Sequence, residues 1–113
     1  MDYIDLSTST QLNEVDSNSF KGKGVLIFKH SSRCIISRMV WSNLTADWSS
    51  DLDDLPVYFL DLISYRALSQ EVAERYDVHH ESPQALLIKA GKCVYNESHQ
   101  GIQHKEIQSL VNA

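Results

Sequence analysis

Three uninterrupted apolar runs, Val25–Phe28, Val57–Leu60 and Ala85–Ile88, most constrain what this chain can fold into. None alternates apolar with polar residues, so each reads as a strand covered on both faces rather than one lying half in water. Between the first two runs Ile36, Met39, Val40 and Leu44 recur at helical spacing, and Ser31 or Ser32 is placed to cap that helix. After the second run, Leu68, Val72 and Tyr76 mark another helix face, with Glu71 and Arg75 paired at i, i+4 beside it. Strands alternating with helices call for parallel neighbours joined by a right-handed crossover, here the Cys34–Asp47 segment.

The remaining segments complete the plan. Tyr3–Leu6 reads as a short edge strand, followed by a helix through Leu12 and Val15 that Ser7 or Thr8 can cap. Gly22-Lys23-Gly24 punctuates the chain before the first buried strand, and Asp47–Leu55 reads as a solvated acidic loop. Pro56 then opens the second run, which continues to Ile63. Ala85–Lys89, the turn Ala90-Gly91-Lys92 and Cys93–Asn96 form a β-hairpin pattern, and Ile102, Ile107, Leu110 and Val111 suggest a last short helix. The expectation is an α/β domain over residues 1–113, with a central mixed sheet of roughly four or five strands flanked by helices. Val25–Phe28 and Val57–Ile63 should lie adjacent and parallel near its centre.

Composition narrows the function classes. Ten Lys and Arg against fifteen Asp and Glu leave a net charge of −5, which suits neither non-specific phosphate binding nor a basic nucleic-acid face. Runs this short fall far below the roughly 20 apolar residues of a membrane span. The first residues, Met-Asp-Tyr-Ile-Asp, carry neither a basic region nor an apolar one of the secretory type. Two cysteines are too few for a disulfide-stapled scaffold. A cytoplasmic protein that neither enters a membrane nor binds nucleic acid is expected.

The chemistry concentrates where the first buried strand meets its helix, at His30-Ser31-Ser32-Arg33-Cys34-Ile35-Ile36-Ser37. A thiol at a helix N-terminus faces unpaired N–H groups and the positive end of the helix dipole, which favour thiolate over thiol. Arg33 and Arg38 add positive charge, and His30 does so when protonated. A buried cysteine acting as a small hydrophobe is the bland alternative, against which the polar flanks weigh. Three residues on, Ser37 presents a hydroxyl where a C-x-x-C motif has its resolving thiol. The hydroxyl cannot resolve a mixed disulfide; it either donates a hydrogen bond to the thiolate or is an ordinary polar residue of the first turn.

These residues, with Val78-His79-His80-Glu81-Ser82-Pro83-Gln84 and Glu97-Ser98-His99, resemble the monothiol bacilliredoxins, the YtxJ-like branch of thioredoxin-fold proteins. With the strand and helix pattern, the resemblance spans nearly the whole chain, and it implies a thioredoxin-like fold. It further implies a thiol-disulfide oxidoreductase that removes bacillithiol, a low-molecular-weight thiol, from mixed disulfides on proteins. Cys34 would be the nucleophile, with Ser37 beside it. His30, Ser31, Ser32, Arg33, Ser82 and Pro83 would form the substrate-binding surface. Bacillithiol would be a co-substrate, with no bound cofactor, and S-thiolated proteins would be the partners. The resemblance also implies a cis Ser82–Pro83 bond, whose loop offers its backbone to an extended substrate segment. The family usually shows Cys-Pro-Ile-Ser, whereas Ile35 stands here in the place of that proline.

Two other readings stay open on residues alone. One is a thioredoxin-fold module that binds partners through Ser82-Pro83 without catalysis; the other is a glutaredoxin-like protein using a different small thiol. Cys93, just after the hairpin turn, reads as a half-buried structural cysteine, with a distant resolving thiol as the sharper alternative. His79, His80, His99 and His104 match no metal-ligand spacing, and Asp51, Asp53 and Asp54 lack the glycine and distal glutamate of a calcium loop. Trp41 and Trp48 read as packing residues, with a place on the rim of the active cleft as the alternative for either.

Overall fold

In the computed structural model, which describes Met1–Ala113, the first apolar run becomes strand β2 (Val25–His30), buried along its whole length. It is the middle of a five-stranded sheet. On one side it pairs in parallel with β3 (Val57–Asp61), and β3 pairs in parallel with the short edge strand β1 (Ile4–Asp5). On the other side it pairs antiparallel with β4 (Gln84–Lys89), which forms a hairpin with β5 (Lys92–Ser98). The order β1-β3-β2-β4-β5 is the mixed sheet that the apolar runs call for.

Both faces of β2 are covered, as its continuous apolar character requires. Val25 and Ile27 pack with Leu86 and Ile88 under α1 (Ser9–Ser19) and α3 (Arg66–Tyr76), against Leu12, Val15, Leu68 and Val72. Leu26 and Phe28 pack with Ala85 and Leu87 under α2 (Ile35–Asp47) and α4 (His104–Val111), against Val40, Leu44, Ile107 and Val111. Each such buried aliphatic side chain contributes about 1.5–3 kcal/mol relative to exposure. Gly24, at φ +99, lets β2 start tight against the hairpin, since a Cβ there would stand 2.7 Å from the Ile88 carbonyl oxygen.

Local signals explain the start of α1 and the end of α3. Thr8 caps α1 through a capping box: its hydroxyl accepts from Gln11 N, and Gln11 Oε1 accepts from Thr8 N at 3.0 Å. Asp77, in the left-handed region at φ 53, ends α3. Glu71 and Arg75 form the expected pair at 3.5 Å, and Arg75 also reaches Asp16 of α1 at 3.0 Å.

Three expectations are corrected. Neither Ser31 nor Ser32 caps α2: the N-cap is Cys34, and no side chain bonds the first-turn amides. Ile36 and Met39 do not face the core but are 36% and 45% exposed; the buried face of α2 is Ser37, Val40 and Leu44. The Asp47–Leu55 segment is not simply solvated. It holds a short 3-10 turn, Ser50–Leu52, buries Leu52 and Leu55, and fixes α4 through Asp51, whose carboxylate accepts from Gln108 and Asn112 side chains. No helix is long and apolar enough to cross a membrane.

Candidate active site

The last two residues of β2 project to opposite faces of the sheet. His30 faces α2 and lies 5.1 Å, ring to ring, from Phe59, in an aromatic group completed by Phe28, Trp41 and Tyr3. Its Nδ1 is 2.9 Å from the Ser37 hydroxyl, which also accepts the Ser31 N–H at 3.0 Å. Ser37 is fully buried. A polar residue therefore occupies the core face of the first turn of α2, clamped to β2 and to the loop that carries the cysteine.

Burial pushes the His30 imidazole below its usual range; Asp61 opposes that shift and the Arg38 guanidinium adds to it. Burial thus favours the neutral imidazole, and the positive charge that His30 would add beside Cys34 when protonated is disfavoured. The Ser37 hydroxyl likewise makes no hydrogen bond to the Cys34 sulfur, because His30 and Ser31 engage it.

Cys34 is half-buried and unpaired. Its N–H donates to Ser31 O at 3.1 Å, closing the turn that ends the loop, and its carbonyl accepts Arg38 N at 3.1 Å, opening the helix. The N–H groups of Ile35, Ile36 and Ser37 have no acceptor in the chain. At most helix starts a Ser, Thr, Asp or Asn oxygen meets such donors; here the residue in that position carries sulfur. Arg33 and Arg38 are exposed and pair with no carboxylate. Ile35, beside the thiol, is 72% exposed.

The loop before β4 reaches the same end of the sheet. Lys29 is the register partner of Gln84, so continuing the antiparallel pairing by one residue sets Pro83 opposite His30. The Ser82–Pro83 bond is cis. Pro83 O accepts the His99 N–H at 3.0 Å, whereas the main-chain N–H and C=O of Ser82 bond to nothing in the chain. The Ser82 hydroxyl is buried and unpartnered as well.

Cys93 lies elsewhere. It pairs with Ile88 in the hairpin and packs on the α1 and α3 face, across the sheet from α2. Its Sγ–H donates to Tyr95 O at 3.1 Å, and burial pushes its thiol up. Trp41 is a packing residue as expected, tilted against Phe28 and edge-on to Phe59, and Trp48 packs edge-on against His104.

A family model described as monothiol bacilliredoxin BrxC matches residues 4–107. The chain belongs to this family. Among solved structures, a thioredoxin-fold protein provisionally described as an oxidoreductase is 30% identical, with a TM-score of 0.79, over 96% of this chain and 92% of that one. Thioredoxins of Malassezia sympodialis and Fasciola hepatica share the fold at 16% and 18% identity. Their TM-scores are 0.70 and 0.69, over 98% and 96% of this chain and 89% and 95% of theirs. The protein is thus a thiol-disulfide oxidoreductase of thioredoxin fold. In this bacilliredoxin the isoleucine at position 35 keeps a backbone donor that a proline would remove, so the helix start has one more free N–H beside the sulfur.

Lys29, His80 and Gln84 were not singled out as site residues from sequence. The available signal is phase: Lys29 follows Val25 and Ile27 at the strand period, on the strand face that packs into the core.

Proposed function

We propose that the protein is a monothiol de-thiolase in which Cys34 removes bacillithiol from mixed disulfides on proteins. The observation that carries this reading is the setting of Cys34: a half-buried sulfur at the start of α2, beside three unpaired N–H groups, with a buried hydroxyl one turn on. The Cys34 thiolate attacks the bacillithiol sulfur of the mixed disulfide. The S–S bond of the mixed disulfide breaks, the substrate cysteine leaves as thiolate, and Cys34 holds the bacillithiol in a new disulfide. A second bacillithiol thiolate, or a dithiol reductase, then attacks that disulfide and returns Cys34 to the thiolate.

Each neighbour has a role in this scheme. Ser37 cannot resolve the intermediate; it braces the Ser31 to Cys34 loop from within. The free N–H and C=O of Ser82, next to Pro83, suit an extended segment of the S-thiolated partner, paired as an added strand. Ser31, Ser32 and Arg33, with Arg38, line the side where a small anionic thiol meets unpaired guanidinium groups. Bacillithiol acts as co-substrate, without a resident cofactor, and a reducing cytoplasm is the compartment in which such a thiol works. The test is mass spectrometry after incubation with a bacillithiolated protein. The expected result is the bacillithiol adduct on Cys34 and release of the unmodified partner. An unmodified Cys34 with the partner still thiolated overturns the reading.

A further inference from the structure

We propose that Lys29 is a positioning residue for substrate docking, holding the His79–Pro83 loop in place through the ring of His80. Lys29 is fully buried on the α3 face of the sheet. Its ammonium donates to the Ser69 carbonyl oxygen of α3 at 3.0 Å and to His80 Nδ1 at 3.1 Å. The Ser69 hydroxyl stands 3.3 Å from the same ring nitrogen. Beside Lys29 in the sheet, Gln84 donates from Nε2 to the His79 carbonyl at 2.9 Å, while its Oε1 is buried without a partner. Two consecutive loop residues are thereby anchored, one by its ring and one by its carbonyl. Two residues later Ser82 leaves its backbone free.

Packing alone does not account for a lysine here. A buried ammonium with no carboxylate partner is costly, and an aliphatic side chain would fill the same space under α3 without that cost. What the ammonium supplies is a rigid donor able to reach an α3 carbonyl and a loop imidazole at once. As acceptor, His80 Nδ1 carries no proton, so its proton sits on Nε2. A loop tied in this way presents Ser82 in one geometry, and less ordering entropy is lost when an extended peptide docks.

The inference rests on the proposed docking of the S-thiolated partner at Ser82, and its test separates the two. Transfer is measured with a bacillithiolated peptide, which has a backbone to dock, and with a small aliphatic disulfide, which has none. Lys29→Met and His80→Leu should raise KM for the peptide about tenfold or more, leaving kcat and the small-disulfide rate within about twofold. His80→Asn, which returns an acceptor near the place of Nδ1, should restore most of the peptide KM. Equal loss on both substrates, or no loss on either, overturns the proposal. Amide hydrogen exchange is read in the same variants and does not depend on turnover. Faster exchange of the His99 amide, which is bonded to the Pro83 carbonyl, in His80→Leu, reversed in His80→Asn, supports the anchor even where the wild type transfers no bacillithiol. Unchanged exchange there overturns it.

Discussion

Lys29 and His30 are consecutive on β2, and each reaches across an opposite face of the sheet to hold one half of the site. His30 Nδ1 meets Ser37 at 2.9 Å under the cysteine loop, and Lys29 Nζ meets His80 at 3.1 Å under the Ser82 loop. The pleat of a doubly covered strand makes this possible, because neighbouring side chains point to opposite faces. One dipeptide thus ties α2 and the loop before β4 to the same central strand, at the end of the sheet where a mixed disulfide would be exchanged.

The two cysteines should divide cleanly in function. Cys34→Ser should abolish bacillithiol release from a thiolated protein, since a hydroxyl is scarcely ionised at neutral pH and forms no disulfide. Cys93→Ser should keep transfer and lower stability by about 1 kcal/mol, the usual size for a change at a half-buried site. Thiol release and urea midpoints, followed in parallel, check both. Equal loss of activity in the two variants would require a distant-resolver mechanism instead.

The His30–Ser37 contact should be felt as both stability and rate. Ser37→Ala leaves the Ser31 N–H without its acceptor, at a cost of about 1–3 kcal/mol, and loosens the loop that carries Cys34. Acid should act through the same histidine. Burial lowers the pKa of His30, and burial together with the Lys29 ammonium lowers that of His80. Between these lowered values and the ordinary histidine range, the unfolded chain binds more protons than the folded one. Stability should therefore fall as pH drops below about 6.5. His30→Asn should flatten that fall in urea midpoints taken between neutral and mildly acidic pH.

Lys29 predicts the opposite end of the pH range. Burial lowers its ammonium from 10.5 to about 8. Between those values the unfolded chain holds a proton that the folded chain has shed, so stability from this group rises with pH. The full span is on the order of 3 kcal/mol. Cys93, Tyr76 and Tyr95 oppose the rise, because burial raises the pKa of each and delays its ionisation in the folded state. The quantity to measure is the difference between wild type and Lys29→Met across pH 8 to about 9.5, where Cys93 is common to both and the tyrosines have barely begun to titrate. That difference should grow in favour of wild type as pH rises; a flat difference would place the ammonium's cost elsewhere.

What was legible in sequence, and what was not, follows from how each residue is stabilised. The runs Val25–Phe28, Val57–Leu60 and Ala85–Ile88 announce themselves because a strand covered on both faces needs no polar residue. The Glu71–Arg75 pair and the hairpin at Gly91 are equally local. The phase of α2 was misread because its core face includes Ser37, whose burial depends on His30, seven residues away on another element; hydrophobic periodicity assigns Ile36 and Met39 instead. The cap is not legible because Ser31 and Ser32 are ordinary capping types, while the N-cap is Cys34, with the first-turn amides left free. The role of Lys29 was hidden because its partners, Ser69 and His80, are forty and fifty-one residues away.

The most demanding prediction concerns Ser37→Cys. The substitution sets a second sulfur three residues after Cys34 in the first helical turn, a spacing at which the two Cα atoms fall within the roughly 4.4–6.8 Å that a disulfide spans. It also removes the hydroxyl that accepts the Ser31 N–H and meets His30, so the variant should be less stable by about 1–3 kcal/mol. Once Cys34 carries bacillithiol, the introduced thiolate can attack the Cys34 sulfur, expel bacillithiol as thiolate and leave an internal disulfide. Wild type should accumulate the Cys34 adduct when no second thiol is supplied. The variant should instead release bacillithiol in step with the loss of two hydrogens from its intact mass, and its alkylatable thiols should fall to Cys93 alone. Restoring it would then need a dithiol reductant rather than bacillithiol. A stable adduct on Cys34 with the introduced thiol still alkylatable would mean that the buried side of α2 denies the second sulfur its line of attack. Monothiol behaviour would then be built into the packing around His30 as well as into the choice of serine.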